Sequence, residues 1–192
     1  YYKMSHQEIE SPDFLHLNPL SLPKNAANQN FLNKFFASLV AFSKDPIPEN
    51  EINLIPQIVD RIVVSGFNNF ATASEAFNTP DTANIYEKLK LWNGGKLGYI
   101  FGSPDEINWK DQIMGFDLSE IFEQKPVLIP TVYYMLHQIE AVLDGKPAII
   151  VLNSARDLID NPILGTDMAA FLERIKQKNC AVIWAGRRGT LN

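Results

Sequence analysis

Five apolar residues in a row, Ala148 to Leu152, limit what this chain can become more than any other stretch. Three of them (Ile149, Ile150 and Val151) are β-branched, the type that packs well on a pleated surface. The run is apolar on both faces and stops at the small polar pair Asn153-Ser154. That pattern predicts a central strand of a parallel sheet covered on both sides. Asp144-Gly145-Lys146-Pro147 precedes it as a helix stop, with Gly145 suited to a left-handed cap. A helix predicted over Asp167–Lys178 follows, with Met168, Phe171, Leu172 and Ile175 inward and Thr166 as its cap. A second apolar run, Ala181 to Trp184, comes next. Strand, helix, strand in that order is the signature of a parallel sheet with crossover connections. Open sheets of this kind gather ligands beyond the carboxyl ends of their strands, so Asn153 and Ser154 are the first place to look for a site.

Upstream the periodicity changes. Residues 1–23 read as irregular, with a short strand at Tyr1–Met4 and a turn at Leu17-Asn18-Pro19-Leu20. Phe31, Leu32, Phe35, Phe36, Leu39 and Val40 share one stripe of a helix predicted over Asn28–Phe42, with Asn28 as its N-cap. Ile52, Ile55, Ile58, Val59, Ile62 and Val63 define a second helix that kinks at Pro56 or starts just before it. A short helix over Thr72–Phe77 comes next. Another, over Pro80–Leu91, has Thr79 as cap and Ile85, Leu89 and Leu91 inward. Residues 28–92 therefore read as all-helical. Trp92-Asn93-Gly94-Gly95-Lys96 is a turn, Leu97–Phe101 and Gln112–Asp117 are strand-like, and Leu118–Phe122 is a helical turn capped by Asp117 or Ser119. Pro130–Leu143 is a helix with Val132, Met135, Leu136, Ile139, Val142 and Leu143 on one face. The resulting division is an irregular segment 1–27, a helical insertion 28–92 and an α/β core portion 93–192.

Composition excludes several classes. At 192 residues the chain can bury a full core, and its 46% apolar and 20% charged residues are ordinary for a globular protein. A net charge of -5 gives no electrostatic attraction to nucleic acid. The single cysteine, Cys180, rules out an internal disulfide and a multi-cysteine metal site, and reads as a packed thiol. No run of ~18 apolar residues is present. No G-x-x-x-x-G-K-[ST] phosphate loop exists within the chain; Gly94-Gly95-Lys96 leads into a strand-like run rather than a helix. His6, His16 and His137 have no metal-ligand spacing, and Lys178 reads as a solvent-facing helix end. Ser154 lacks a nucleophile elbow. Asp157 and Asp160 read as turn caps or surface charges. The chain opens on Tyr1 without an initiator Met and ends soon after a strand-like run, so it is expected to be a piece of a longer protein.

Several local patterns recur in one order. Leu91-Trp92 is followed by Gly94, Gly95, Gly98, Phe101 and Pro104-Asp105-Glu106. Next come Gly115-Phe116-Asp117-Leu118, then Pro130, Tyr133 or Tyr134, Leu136-His137, Ile139-Glu140 and Leu143-Asp144-Gly145-Lys146-Pro147. After the apolar run stand Asp160-Asn161-Pro162 and Gln177-Lys178-Asn179. This series, with Leu17-Asn18-Pro19-Leu20 and Asn30-Phe31-Leu32 upstream, resembles the carboxy-terminal domain of the type IV secretion and conjugation ATPases (the VirB, TrbE and CagE group). The resemblance implies an α/β, RecA-like core with a helical insertion, and a phosphate loop upstream of residue 1. It implies ATP and Mg²⁺ as cofactors. It also implies homo- or hetero-oligomers with other secretion components, a peripheral place on the cytoplasmic face of the inner membrane, and no nucleic-acid partner.

The departures from that family pattern bear on chemistry. Where the pattern reads Leu-Asp-Glu-Ala-Trp, this chain reads Leu152-Asn153-Ser154-Ala155-Arg156. The resemblance makes Asn153 and Ser154 the degenerate Walker B positions, which would hold Mg²⁺ through water and polarise the attacking water. Asn153 brings no formal charge, and Ser154 is too short and too weakly basic to act as that base. Where the pattern tends to read Ala-Thr-Gln after the next strand, this chain has Ala185-Gly186-Arg187, which places Arg187 at the sensor position. The resemblance therefore implies a structural or regulatory copy with weak or no hydrolysis. The alternative is an active ATPase whose acid is relocated to Asp157 or to a neighbouring subunit.

Overall fold

The computed structural model describes residues 5–8, 16–41, 45–93, 97–101, 105, 107–111, 113–153, 158 and 162–185. The chain divides into two compact units, Tyr1–Pro130 and Thr131–Asn192.

The first unit is dominated by helices: α1 (Ala26–Val40), α2 (Glu49–Ile52), α3 (Ile55–Ser65), α4 (Phe70–Glu75), α5 (Ala83–Leu89) and α6 (Gly98–Phe101). Each boundary has a local cause. The Asn25 side chain accepts from the Asn28 N–H at 2.8 Å and caps α1, one turn earlier than expected. Pro56 opens α3 within its first two positions, where its missing N–H costs nothing. Gly66, at φ 71°, closes α3 in the left-handed conformation. Asn69 caps α4 through the Thr72 N–H. The predicted phenylalanine stripe forms the centre of this core. Phe35 meets Phe101 edge-on at 5.0 Å, Phe36 packs on Phe70 and Phe77, and the Trp92 ring lies 5.5 Å from Phe101. The Trp92 Nε1–H donates to the Leu39 carbonyl, so this large side chain is buried without an orphaned donor. Also in this unit, β1 (Ser5–Glu8) runs parallel to β2 (Met114–Asp117) in a two-stranded sheet. The Asp117 carboxylate then caps the following turn by accepting the Ser119 N–H.

A long helix, α7 (Lys125–Val142), contains Pro130 in its interior and runs across the division between the two units. The second unit continues with β3 (Ala148–Asn153), α8 (Pro162–Gln177) and β4 (Cys180–Ala185). β3 and β4 are parallel, paired from Ala148↔Cys180 to Asn153↔Ala185, with α8 between them in sequence. Met168, Phe171 and Ile175 of α8 are buried as expected.

Several expectations change. Leu97–Phe101 is helical where a strand was expected: the Ile100 N–H bonds back to the Leu97 carbonyl, and Ile100 and Phe101 are buried in the helical core. Leu91 is exposed, and Trp92 takes the inward place instead. Thr79 does not cap through its side chain; Pro80–Thr82 is a 3₁₀ turn leading into α5. The helices expected at Pro130 and Asp167 both start earlier, at Lys125 and Pro162, so Thr166 lies inside α8 rather than at its cap. β3 is shielded on one face only, since Ile149 and Val151 remain exposed. The strand expected at Tyr1–Met4 and the turn at Gly94-Gly95-Lys96 fall outside the described residues.

Two polar groups in the interior test this packing. Glu51 on α2 is only 6% exposed, and its carboxyl group accepts from the Asn84 and Ile85 backbone N–H groups and from the Asn84 amide. It therefore satisfies donors at the start of α5 from a neighbouring helix. Glu51→Ala is expected to lower unfolding free energy by about 2 kcal/mol in denaturant titration, because buried donors lose their acceptor. Thr131, fully buried in α7, has no hydrogen-bond partner for its hydroxyl among the described residues. Thr131→Val is expected to leave stability unchanged or raise it by up to about 1 kcal/mol.

Candidate functional site

The parallel register places Asn153 beside Ala185, so the carboxyl ends of β3 and β4 finish level with each other. This is the sheet end at which α/β folds place ligands. The Asn153 side chain is exposed there. Ser154 and Arg187, the other two residues singled out in the sequence, lie outside the described residues, as do Asp157 and Asp160. At this strand end the described residues offer a cation the neutral amide of Asn153. Mg²⁺ takes oxygen ligands and is usually held through one or two carboxylates. Among the described residues no group of three or more His, Cys, Asp or Glu side chains could hold a metal ion.

The elements carrying this strand end are tied together by polar contacts between α7 and α8. Tyr133, His137 and Glu140 follow one stripe of α7 at i, i+4 and i+7. Asp167, Arg174 and Lys178 come from α8 and the turn after it. The Tyr133 hydroxyl donates to Asp167 at 3.2 Å. Burial and the facing Asp167 carboxylate hold the phenol well above its usual range. Arg174 grips Glu140 with two parallel bonds of 2.8 Å each, the fork-to-carboxylate geometry that gives arginine its directionality. The Lys178 ammonium donates to the Glu140 carbonyl, so it is bound to α7 rather than solvent-facing as expected. Asn179 adopts φ 59° and donates its amide to the Gly145 carbonyl, while its own carbonyl accepts from Ala148, the first residue of β3. These bonds carry the α7–α8 contact directly into the start of the sheet. Of the residues in this network the sequence singled out Lys178, and as a solvent-facing helix end. The pairing of residues 34 positions apart has no local signature.

The face of β3–β4 that carries Ile149, Val151 and Ile183 is uncovered, these side chains being 67%, 61% and 50% exposed. The register sets Val151 directly beside Ile183, making one apolar patch on a parallel pair, a type of sheet normally covered on both faces.

Known proteins are similar to this chain in sequence and in fold. No protein-family model matches the chain. It is 31% identical over 100 residues to protein virB4 of Rhizobium radiobacter, across 51% of this chain and 13% of that protein. It is 21% identical over 162 residues to the type IV secretion system protein virB4 of Bartonella henselae, across 82% of this chain and 21% of that protein. It is 21% identical over 189 residues to a probable conjugal transfer protein TrbE of Sinorhizobium fredii, across 96% of this chain and 28% of that protein. Over most of its length the chain is thus similar in sequence to VirB4 and TrbE proteins. The fold agrees: the structure of VirB4 of Thermoanaerobacter pseudethanolicus superposes with a TM-score of 0.73 at 14% identity, over 96% of this chain and 57% of that one. Relative to VirB4 and TrbE, the chain spans from about an eighth to just over a quarter of the curated proteins' lengths.

Cys180 at the start of β4 is buried, and burial pushes its thiol pKa up. A thiol held protonated is a poor nucleophile. Iodoacetamide at about pH 7.5 is expected to alkylate Cys180 at least about tenfold more slowly than it alkylates glutathione, and at comparable rates once urea unfolds the chain. Mass spectrometry of timed aliquots reads both rates.

Proposed function

We propose that this chain belongs to a type IV secretion or conjugation component related to VirB4, serving a structural or regulatory role with weak or no ATP hydrolysis. The observation that carries the reading is the placement of Asn153. It ends β3, level with Ala185 of the parallel neighbour, at the position where the family pattern carries an acid. ATP and Mg²⁺ are the cofactors of the parent site in this reading. Replacing the metal-holding acid and the water-polarising acid with Asn153 and Ser154 removes both charges from it. Loss of a general base or a charge-stabilising group typically costs ~10²–10⁴ in rate. Arg187, at the sensor position, contributes a fixed positive charge where the family pattern tends to have a neutral amide.

The same reading makes residues 28–92 a helical insertion and 93–192 a portion of a RecA-like core, with more of that core supplied by the longer protein. The uncovered apolar face of β3–β4 supports it, since such a face needs a further layer. Other secretion components and further ATPase subunits are the partners in this reading, at the cytoplasmic face of the inner membrane. Among the described residues no helix is long and apolar enough to cross a membrane.

A steady-state ATPase assay of the full-length protein tests the reading. Turnover is expected at least about a hundredfold below ~1 s⁻¹, the low end for ordinary enzymes. The double replacement Asn153→Asp with Ser154→Glu is expected to raise it. Turnover near ~1 s⁻¹ in the native protein, abolished by Asn153→Ala, would overturn the proposal.

A further inference from the structure

We propose that a groove in the helical unit, bounded by the loop at residues 20–24, the first turns of α1 and the end of α3, docks a peptide segment of a protein partner that carries an acidic residue beside apolar ones. The groove lies wholly within the first unit, and the proposal does not depend on the nucleotide chemistry considered above.

The cavity holds about 360 Å³, within the range of roughly 300–1,000 Å³ typical of sites that take a ligand. Its walls are mostly apolar: Leu20 and Leu22 come from the loop, Leu32 from α1, and Ile62, Val63 and Phe67 from α3 and the turn after it. Two buried asparagines fix these walls. Asn18 donates its amide to the Asn68 carbonyl at 2.9 Å and accepts the Leu20 N–H at 3.1 Å. Asn28 donates its amide to the Pro23 carbonyl at 2.7 Å. The loop is thereby tied both to the chain after α3 and to α1. The groove stands formed before any ligand arrives, which lowers the ordering cost of binding.

Lys24 is the charged residue in the lining. Its ammonium lies over Gly66, 3.3 Å from where a Cβ on that residue would stand. The Ile62 and Val63 carbonyls at that end of α3 already accept from the Phe67 and Gly66 N–H groups. Among the described residues Lys24 has no hydrogen bond or ion pair. The Asp60 carboxylate near the rim is engaged by the Gln29 amide at 2.9 Å. A ligand therefore meets apolar walls and an uncommitted cation, which a carboxylate beside branched or aromatic side chains complements. A phosphorylated segment fits less well, since phosphate recognition draws on clusters of arginine. A peptide is favoured over a small carboxylate because apolar surface continues past the cavity: Val64, next to Val63 on α3, is 74% exposed.

Fluorescence anisotropy with the full-length protein tests the groove. The probe is a fluorescein-labelled peptide of sequence Leu-Asp-Phe-Leu, and the control is Leu-Asn-Phe-Leu. The acidic peptide is expected to bind about two- to fivefold more tightly than the control at low salt. Lys24→Gln is expected to abolish that difference and to leave thermal unfolding unchanged, because its side chain bonds to nothing among the described residues. In methyl NMR spectra of the full-length protein, the acidic peptide is expected to shift the methyl resonances of Leu22, Leu32 and Val63. Equal affinity for the two peptides, or shifts that miss these three residues, would overturn the proposal. Hexanoate displacing the probe at the concentration at which unlabelled acidic peptide does would overturn the choice of a peptide partner.

Discussion

Two parallel strands cannot be joined by a tight turn. β3 and β4 are therefore only as well aligned as the helix that carries the chain back from the end of one to the start of the other. The register from Ala148↔Cys180 to Asn153↔Ala185 depends on α8 being held at a fixed distance and pitch. Buried Met168, Phe171 and Ile175 supply the apolar component of that hold. The two-point grip of Arg174 on Glu140 and the Tyr133–Asp167 bond supply the directional component. Slipping one strand by one residue against the other would exchange the covered and uncovered faces of the strand that moves. It would also move Asn153 away from the level sheet end on which the proposed site rests.

The helical unit answers to a different constraint. Its core is built from large rings, which fill space well but leave polar backbone to be satisfied at each short helix end. Asparagines at 25 and 69 do this locally, and Glu51 does it from a neighbouring helix. The two units thus solve the same accounting problem with different chemistry: side-chain caps among the helices, and strand pairing with a charged seam in the α/β unit.

The apolar stripes of α1 and α3, the strands β3 and β4 and the α/β class were legible in the sequence, because hydrophobic period survives without knowledge of tertiary partners. Helix starts were misread wherever the capping or first-turn residue lay upstream of the stripe, as with Asn25 before α1 and Pro162 before the apolar face of α8. The segment 97–101 was misread because five residues rich in apolar side chains fit a strand or a buried helical turn equally well. Burial of Phe101 among the rings of α1 decides it, and that is a long-range fact. At the candidate site, Asn153 was legible because a strand end can be located from a run of apolar residues. The seam of Tyr133, Glu140, Asp167 and Arg174 was not, since two charged stripes read as solvated faces until the helices bearing them are placed side by side.

Similarity to VirB4 and TrbE and the position of Asn153 bear on one physical question, whether the site proposed at this strand end handles a metal-bound nucleotide. An Asp there would couple nucleotide affinity to Mg²⁺ through charge; an amide leaves that coupling weak. Calorimetric titration of the full-length protein with ATP, with and without Mg²⁺, measures the coupling directly. The proposed degenerate site predicts an affinity that Mg²⁺ alters by less than about threefold, a difference well under about 1.4 kcal/mol. Binding strengthened about tenfold or more by Mg²⁺ and lost in Asn153→Ala would contradict it.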